Sequence, residues 1–394
     1  MEPTILEGIR VIDFSRYIAG PYCAALLGYM GAEVIRVEKP GGSEDRFVGP
    51  VSPSASATFM QTGCNKKSVT VNLKDDTGQQ IVRKLVGTAD VVVINLPHAG
   101  LVRLGLDYES LKAIKEDIIL TTPTAFGHEG PYAARGGFDG VGQLMSGNSW
   151  FSGKDGEPVR SAAPYVDFLT AAFGAFSTLG ALYHKRDTGE GQHVQTSLLG
   201  SALAAFNPVL IEQALLDINR APSGNRSQTS APADVFKTAD GYMTMHVIGN
   251  GLFYRLAKVI GADEWIDNPD FNTDPKRGER RDEICERVGA WLAGRPTEAA
   301  VTELAEAGVP AGPLLTVPQA LEHEQILAMG YFNQIAYPDT EKIAPTVGLP
   351  VSFSKSDCGL KRRPPTVGEH TEEVLASLGF EADEIAGFRD GGAI

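Results

Sequence analysis

The chain has 394 residues, more than one compact domain usually contains, so two domains are expected. Its formal net charge of −14 argues against general binding to nucleic acids or membranes, although local Lys and Arg can still bind an anionic cofactor. The four cysteines lie far apart without a CxxC pair, which argues against a disulfide framework or structural zinc. With no signal-peptide pattern, these features predict a cytoplasmic protein.

The first 125 residues alternate short β-branched runs with segments of helical spacing. Strands are predicted at Ile9–Phe14, Glu33–Val37, Ser68–Leu73, Val91–Asn95 and Ile118–Thr121. Helices are predicted between them at Gly20–Tyr29, Thr77–Val86 and Tyr108–Lys115. Because strands that alternate with helices need crossover connections, this pattern predicts an α/β fold with a mainly parallel sheet covered on both faces.

The remaining chain begins with a stretch rich in Gly, Pro and Ser, 127–166, which is predicted to be mostly loop. The apolar run Phe168–Leu182 is too short for a membrane span and predicts a buried core helix. A strand at His193–Ser197 and a linker-like segment, Arg220–Pro232, come next. The later segments predict a smaller α+β domain, with a hairpin over Ala233–Val247 and helices near Leu252–Ile260, Arg280–Leu292 and Thr297–Ala307. The tail after this domain is predicted to be globular again, with a helix at Thr371–Leu378.

Several familiar cofactor motifs are missing from the sequence. The first strand–helix turn, Ser15–Pro21, contains no GxGxxG, and no GxxxxGK[ST] occurs, which argues against NAD enzymes and P-loop NTPases. There is no GxSxG of a serine hydrolase and no HExxH or HxxxH histidine pair. No metal site and no tightly bound cofactor are therefore expected.

Asp167 is the most interesting carboxylate, because it stands immediately before the long apolar helix. An Asp at this place is typical of a helix N-cap. A helix N-terminus also favours an ionised carboxylate, and its free N–H groups could stabilise oxygen charge in acyl transfer. The capping role and the chemical role are compatible, so both stay open at this stage.

Basic residues gather near the predicted strand ends: Arg16, Arg36, Lys39, Lys66, Lys67 and Arg103. Ligands of parallel sheets bind at the carboxyl ends of the strands, where Lys and Arg suit the phosphates of a nucleotide-like cofactor. Arg16 and Lys39 are the best candidates, because each follows one of the first two strands. Cys23 is interpreted as a core residue of the first helix. Solvated surface charge is the alternative for about half of the basic residues.

Three segments together resemble the family III CoA-transferases of the CaiB/BaiF type, which include formyl-CoA and carnitine CoA-transferases. The first runs through Val11–Pro21 and Gly31–Pro40. The second comprises Asn65–Ser68 and Ala89–Asn95, and the third extends from Asp167 to Gln192. Their order and spacing match the family over nearly the whole chain.

The resemblance implies a Rossmann-like large domain built from both chain ends, and two subunits interlocked as a homodimer. It places the first part of the large domain at 1–200, a linker at 201–230, the small domain at 231–315, and a linker with the return to the large domain at 316–394. It also implies that Asp167 is the catalytic nucleophile and Asp139 an acidic site residue. Coenzyme A contacts are implied for Arg16, Tyr17, Lys39, Asn95, Leu96 and Arg103, and also for Lys66 and Lys67.

The implied reaction is ping-pong, through a mixed anhydride and an aspartyl-CoA thioester on Asp167. Two departures from the family are visible. The segment Ser223–Ser227 lacks the Gly-rich lid insert of some members, and Ile18 replaces a polar gating residue of the formyl-CoA enzyme, which argues against formate or oxalate. Succinyl-CoA with a small dicarboxylate acceptor, such as itaconate, mesaconate, citramalate or malate, is the preferred substrate pair, because Arg16 and Tyr17 could bind a second carboxylate.

Two alternatives remain at the level of the sequence. An α-methylacyl-CoA racemase uses the same scaffold with a His/Asp acid–base pair, but the position of that histidine is Phe138 here, and a phenyl ring cannot carry a proton. The other alternative is a non-catalytic acyl-CoA-binding protein, against which the presence of Asp167 argues.

Overall fold

The computed structural model describes residues 4–154 and 156–394. The chain divides into two compact units. The larger unit comprises the residues up to Ser146 together with Ser161–Pro208 and Leu327–Ile394, and the smaller one comprises Gly147–Arg160 and Val209–Ile326.

The first 200 residues contain most of the strands of the larger unit. In chain order the elements are β1 (Arg10–Asp13), α1 (Ala19–Tyr29), β2 (Glu33–Glu38), β3 (Pro50–Ser52), β4 (Ala55–Ser56), α2 (Ala57–Thr62), β5 (Lys66–Thr70), α3 (Asp76–Gly87), β6 (Val91–Val93), α4 (His98–Leu104), α5 (Tyr108–Ile114), β7 (Ile119–Thr124), α6 (Asp139–Met145), α7 (Asn148–Phe151), α8 (Tyr165–Thr188) and β8 (His193–Ser197).

The second half is mainly helical, with short antiparallel strands. Its elements are α9 (Leu198–Leu216), β9 (Ala233–Lys237), β10 (Tyr242–His246), α10 (Asn250–Val259), α11 (Asp274–Glu279), α12 (Arg281–Leu292), α13 (Thr297–Glu306), β11 (Ala311–Pro313), α14 (Val317–Glu322), α15 (Glu324–Ala328), β12 (Phe332–Ile335), β13 (Ala344–Val347), α16 (Thr371–Ser377) and α17 (Ala382–Asp390). Short 3₁₀ turns lie at Glu44–Phe47 and Asp263–Trp265.

A six-stranded parallel sheet forms the centre of the larger unit, in the order β5-β2-β1-β6-β7-β8. The predicted α/β class and parallel sheet are confirmed. Val11 and Ile12 of β1 pair with Val34 and Ile35 of β2, so hydrophobic residues line both faces. After β1, the chain adds β2 and β5 on one side of it, and then β6, β7 and β8 on the other side. The order therefore reverses between β1 and β6, which is where such sheets open a ligand crevice at their carboxyl edge.

Successive strand residues enter two separate cores, one on each face of the sheet. Val11 lies in a core with α1 and α8, whereas Ile12 lies in a core with α3 and α5. Side chains of the C-terminal helices α16 and α17, among them Val374 and Ile385, pack into the second core. The double burial explains why the strands read as Val/Ile-rich runs rather than as alternating patterns.

The smaller unit contains a three-stranded antiparallel sheet, in the order β11-β10-β9. The predicted hairpin is present, since β9 and β10 pair over Ala233–His246 with the turn between them. One side of the sheet packs with α10, α12 and α13 around a core that includes Phe253, Trp265 and Phe271.

Three predictions of local structure differ from the fold. The stretch 127–166, predicted as loop, contains the short helices α6 and α7. The segment 201–230, predicted as a linker, starts with most of α9, and only its later part lacks helix and strand. The strand predicted at Ser68–Leu73 is β5, Lys66–Thr70, so both lysines lie inside it. Short or exposed helices and strand ends are set by tertiary contacts, which periodicity does not report.

Two helices, α8 and α9, are long and apolar enough to cross a membrane by length and composition alone. In α8, 44% of the most apolar window is buried within the protein, which is typical of a core helix. The corresponding share in α9 is 17%, and this helix contains Pro208.

Candidate active site

Asp167 lies in the first turn of α8, where it is 9% exposed. It is the third residue of the helix, and the N-cap position belongs to Pro164. Asp167 is therefore not the N-cap that the sequence suggested. The pKa of Asp167 is raised to about 7. Burial is the larger cause, and the nearby carboxylate of Asp139 is the second. A buried carboxylate with a raised pKa is a candidate functional group, because active sites commonly shift pKa values by burial and by neighbouring charge.

The carboxylate of Asp139 caps the start of α8. Its Oδ2 accepts hydrogen bonds from the backbone N–H of Val166 at 2.8 Å and of Asp167 at 3.2 Å. The two adjoining N–H groups, of Tyr165 and Phe168, donate to the carbonyls of Ala163 and Pro164. Each of the first four N–H groups of the helix therefore has an acceptor in this structure. The predicted use of these groups as oxyanion donors is not supported, because Asp139 and the preceding loop already bind them.

The turn between β1 and α1 lies at the point where the strand order reverses. Arg16 donates its backbone N–H to Asn95 Oδ1 at 2.8 Å, and Asn95 Nδ2 donates to the Arg16 carbonyl at 2.7 Å. Tyr17 adopts a left-handed φ of +67°, and its N–H donates to Asp45 Oδ2 at 3.2 Å. A non-glycine residue rarely adopts this conformation, so the bonds to Asn95 and Asp45 hold the turn in place.

Aromatic contacts connect this turn to both carboxylates. The ring of Tyr17 packs edge-to-face on Phe138, with centroids 5.2 Å apart. The ring of Tyr22 packs in the same way on Phe168, at 4.8 Å. Phe138 and Phe168 are the sequence neighbours of Asp139 and Asp167. The structure therefore brings the first strand–helix turn close to the starts of α6 and α8, although that turn lies more than 100 residues before both helices in sequence.

The other predicted coenzyme A contacts differ in their surroundings. Lys39 follows β2 with an exposed side chain and pairs with Glu44 at 2.5 Å. Arg103 is exposed in the last turn of α4, and Leu96 is half-buried beside the second core. Arg16 points inward, since its Nη1 donates to the carbonyls of Phe14 and Ser15 at 2.8 and 2.9 Å. Part of the Arg16 guanidinium is thus used to hold its own turn.

Lys66 and Lys67 do not join this site. The Lys66 side chain is fully buried, and its Nζ donates to Asp13 Oδ2 at 2.7 Å and to the Pro21 carbonyl at 2.6 Å. Lys67 pairs with Glu33 and Glu373 at the amino edge of the sheet. A coenzyme A contact by Lys66 is not supported by this structure, because the ammonium group is enclosed by internal partners.

Two residues that sequence reasoning missed contribute to the site. Gln143 is fully buried on α6, and Asp45 lies in the 3₁₀ turn after β2. Gln143 stands four residues after Asp139, a helical spacing that would have indicated it if α6 had been predicted. Nothing local in the sequence identifies Asp45, because its contact with Tyr17 spans 28 residues.

The sequence and the fold were compared with known proteins. A family model described as CoA-transferase family III matches residues 6–371. The chain is 33% identical to a succinate–glutarate CoA-transferase from Agrobacterium fabrum, over 95% of both chains. It is 32% identical to a succinyl-CoA–D-citramalate CoA-transferase from Chloroflexus aurantiacus, over 98% of this chain and 96% of the other. A crystal structure of a CaiB/BaiF family protein from Brucella suis superposes with a TM-score of 0.84 and 31% identity, covering 96% of this chain and all of that one. The chain therefore belongs to the family III CoA-transferases, enzymes that use acyl-CoA as substrate.

Proposed function

We propose that this enzyme moves coenzyme A from succinyl-CoA to a small dicarboxylic acid, with Asp167 as the covalent nucleophile. The observation that carries the proposal is the buried carboxylate of Asp167 in the first turn of α8, beside the carboxylate of Asp139, with a pKa raised to about 7. The names of the two curated relatives support the substrate class, since they pair succinate or succinyl-CoA with glutarate and citramalate.

The proposed reaction starts with the ionised Asp167. Its carboxylate oxygen attacks the thioester carbonyl, the C–S bond breaks, and CoA leaves as a thiolate from a mixed anhydride of Asp167 and succinate. The thiolate then attacks the aspartyl carbonyl, which releases succinate and forms an aspartyl-CoA thioester. The acceptor carboxylate reverses both steps and regenerates the Asp167 carboxylate. Covalent catalysis divides one difficult exchange into easier ones, and burial of the site keeps water from the anhydride.

The surroundings of Asp167 suit a nucleophile. A raised pKa makes a carboxylate more basic and hence more nucleophilic, while a value near 7 still leaves about half of it ionised at neutral pH. We further propose that Tyr17 and the part of the Arg16 guanidinium not bound to its own turn recognise the second carboxylate of the substrate. Lys39, Asn95, Leu96 and Arg103 are proposed to bind the coenzyme A moiety, because they follow the carboxyl ends of β2 and β6 or lie in α4.

Peptide mass spectrometry tests the nucleophile directly. The wild-type enzyme, incubated with succinyl-CoA and hydroxylamine, is expected to carry a hydroxamate on Asp167 and on no other carboxylate. Asp167→Ala should bind CoA and remain folded but transfer no CoA to glutarate, citramalate, malate, itaconate or mesaconate. Transfer at the wild-type rate by Asp167→Ala would contradict the mechanism, and transfer only to monocarboxylates would contradict the substrate class.

Racemisation of a 2-methylacyl-CoA is the competing activity. It needs an acid and a base on opposite faces of the α-carbon, and the position of the second group is occupied by Phe138, whose ring is 63% exposed and packs on Tyr17. No exchange of the α-proton in deuterated water is expected. Rapid deuterium incorporation without CoA transfer would favour racemisation over CoA transfer. Asp139 would then be the first residue to test as the second acid or base.

A further inference from the structure

Helix α6 carries two buried polar side chains on one face. Asp139, at its first position, is 5% exposed, and Gln143, one turn later, has no exposed surface. Buried polar groups cost free energy unless they are hydrogen-bonded, so such a pair on a seven-residue helix requires a specific network. The helix also packs tightly on the start of α8, because a Cβ added at Gly142 would lie 2.8 Å from the Val166 Cγ1.

The Gln143 amide connects α6 to the segment that leads into α8. Its Nε2 donates to Asp139 Oδ1 and lies 3.5 and 3.4 Å from the carbonyls of Ser161 and Ala163. Its Oε1 accepts from the Ser161 N–H at 2.9 Å. One amide group thus binds the carboxylate of Asp139 with its donor end and the chain just before α8 with its acceptor end.

The other oxygen of Asp139 completes the connection to Asp167. Asp139 Oδ2 accepts from the N–H groups of Val166 and Asp167, so the Gln143 amide is linked to the nucleophile's own backbone through a single carboxylate. A carboxylate at this end of a helix is also favoured by the helix dipole. The side chain of Asp139 is therefore fixed at both oxygens, and the first turn of α8 is fixed by it.

We propose that Gln143 is a positioning residue of the transfer reaction. By holding Asp139 against the start of α8, it fixes the place of Asp167 and the negative charge that faces it. The inference rests on the proposed role of Asp167 as the nucleophile. Misplacement of a reacting group by about 1 Å can cost about 100-fold in rate, so a neutral side chain that touches no substrate can still control the reaction.

Titratable side chains of α6, α1 and α8 itself lie at the first turn of α8. Asp139 faces it from α6, Tyr22 faces it from α1 through the contact with Phe168, and Tyr165 belongs to the turn itself. Burial raises the pKa of the Tyr22 phenol above its ordinary value, so this group is neutral at pH 7. Because the negative charge of Asp139 is one cause of the raised pKa of Asp167, removing that charge should change the pH dependence of Asp167.

The experiment measures the rate of Asp167 trapping by succinyl-CoA and hydroxylamine in single turnovers between pH 5.5 and 9. In the wild type, trapping should rise with pH through a one-proton step near 7. Asp139→Asn should move this step toward lower pH by about one unit. Gln143→Met, which keeps the volume but loses the amide, should trap at least about tenfold more slowly at every pH, with CoA affinity within about twofold of wild type.

Gln143→Glu is the conservative control. A protonated carboxylic acid can donate to Asp139 and accept from Ser161 as the amide does, whereas the ionised form repels Asp139. Trapping by this variant should approach the wild-type rate at pH 5.5 and fall below it at pH 9. Far-UV circular dichroism of each sample shows whether the variants are folded, and Gln143→Glu still tests the positioning role if Gln143→Met unfolds.

The outcomes separate the two proposals. Normal trapping in the wild type, with an unchanged rate and pH profile in both Gln143 variants, would overturn the positioning role and leave the nucleophile intact. Absence of any adduct on Asp167 in the wild type, with CoA transfer present, would instead contradict the proposed nucleophile, and the positioning role would fall with it.

Discussion

At the scale of single residues, Asp167 sits in surroundings that oppose its own charge. Burial and the Asp139 carboxylate both raise its pKa, to about 7. The usual Asp pKa is near 4, so the folded protein binds the proton more tightly than the unfolded chain does. This residue therefore weakens the fold in its ionised state: its favourable contribution is complete below pH 4 and is lost as the pH rises to about 7.

Replacing Asp167 with Asn should make the protein more stable at high pH. The neutral amide avoids the cost of a buried charge, so we expect a gain of roughly 1–3 kcal/mol in the free energy of unfolding at pH 8. The gain should shrink between pH 7 and pH 4. Urea unfolding of both proteins across this range measures it. A gain that is the same at pH 4.5 and pH 8, or a loss at pH 8, would show that Asp167 is not destabilised by its charge.

Lys66 and Lys67 are neighbours in sequence but differ in burial, so the effects of replacing them can be compared. Lys66 is fully buried with Asp13, whereas the Lys67 side chain is 20% exposed and pairs with surface carboxylates. Lys66→Met should cost about 3 kcal/mol or more, because it leaves Asp13 buried without its cation. Lys67→Met should cost less than about 1 kcal/mol.

Unfolding midpoints and the KM for succinyl-CoA distinguish a structural lysine from a cofactor contact. Both variants should keep the wild-type KM under conditions in which they are folded. A Lys66→Met variant with the wild-type unfolding midpoint and a strongly raised KM would restore the coenzyme A contact that the sequence suggested.

At the scale of elements, the active site depends on how closely α6 lies against α8. Gly142 makes that approach possible, since an added Cβ would lie 2.8 Å from Val166 Cγ1 and 3.2 Å from the Leu198 carbonyl. Val166 is the residue whose N–H binds Asp139, so any shift at this contact moves the cap of α8. Close packing between two short segments thus determines where the two carboxylates stand.

Gly142→Ala should therefore reduce both stability and activity. We expect a loss of about 1–3 kcal/mol, typical of overpacking, and a fall in kcat of about tenfold with little change in KM. Gly289→Ala in α12, where an added Cβ meets nothing within 4 Å, is the matched control. It should stabilise the protein by about 0.5–1 kcal/mol and leave kcat unchanged. Full activity in Gly142→Ala would mean that this helix contact does not position the site.

At the scale of the whole molecule, the long helices carry large exposed apolar side chains. Phe176 and Tyr183 on α8 are 74% and 62% exposed, and Leu215 and Leu216 on α9 are 77% and 63% exposed. Large exposed apolar side chains on long helices suit a surface that packs against another protein chain. Together with the family resemblance, this supports the proposal that two copies of the chain interlock as a homodimer.

Sedimentation velocity tests this assembly. Each chain has a mass of 42.0 kDa, so a species of twice that mass is expected from micromolar to nanomolar concentrations. Interlocked chains cannot separate without unfolding, and dilution should therefore not release monomers. An active monomer that persists on dilution would contradict the proposal. A dimer that dissociates reversibly would contradict the interlocking alone.

The sequence by itself determined the α/β class, because the parallel sheet is buried on both faces and its strands are short Val/Ile-rich runs such as Val91–Val93. It also indicated Arg16 and Asp167 as candidates. Arg16 lies in a strand–helix turn and Asp167 at a helix start, and both patterns can be recognised from neighbouring residues alone. The family resemblance rested on segments of the same kind and is confirmed.

Only the tertiary structure decided which polar atoms of the site residues have hydrogen-bond or ion-pair partners within the protein. That Asp139 caps α8, that Gln143 binds the Ser161 N–H, and that Lys66 is enclosed by Asp13 are contacts between residues 18 to 53 positions apart in sequence. A local pattern reports propensity and periodicity, whereas the surroundings of a buried polar group depend on which distant segments the fold packs against it. For this reason the sequence identified the proposed nucleophile, and the fold determined the ionisation and support of its carboxylate.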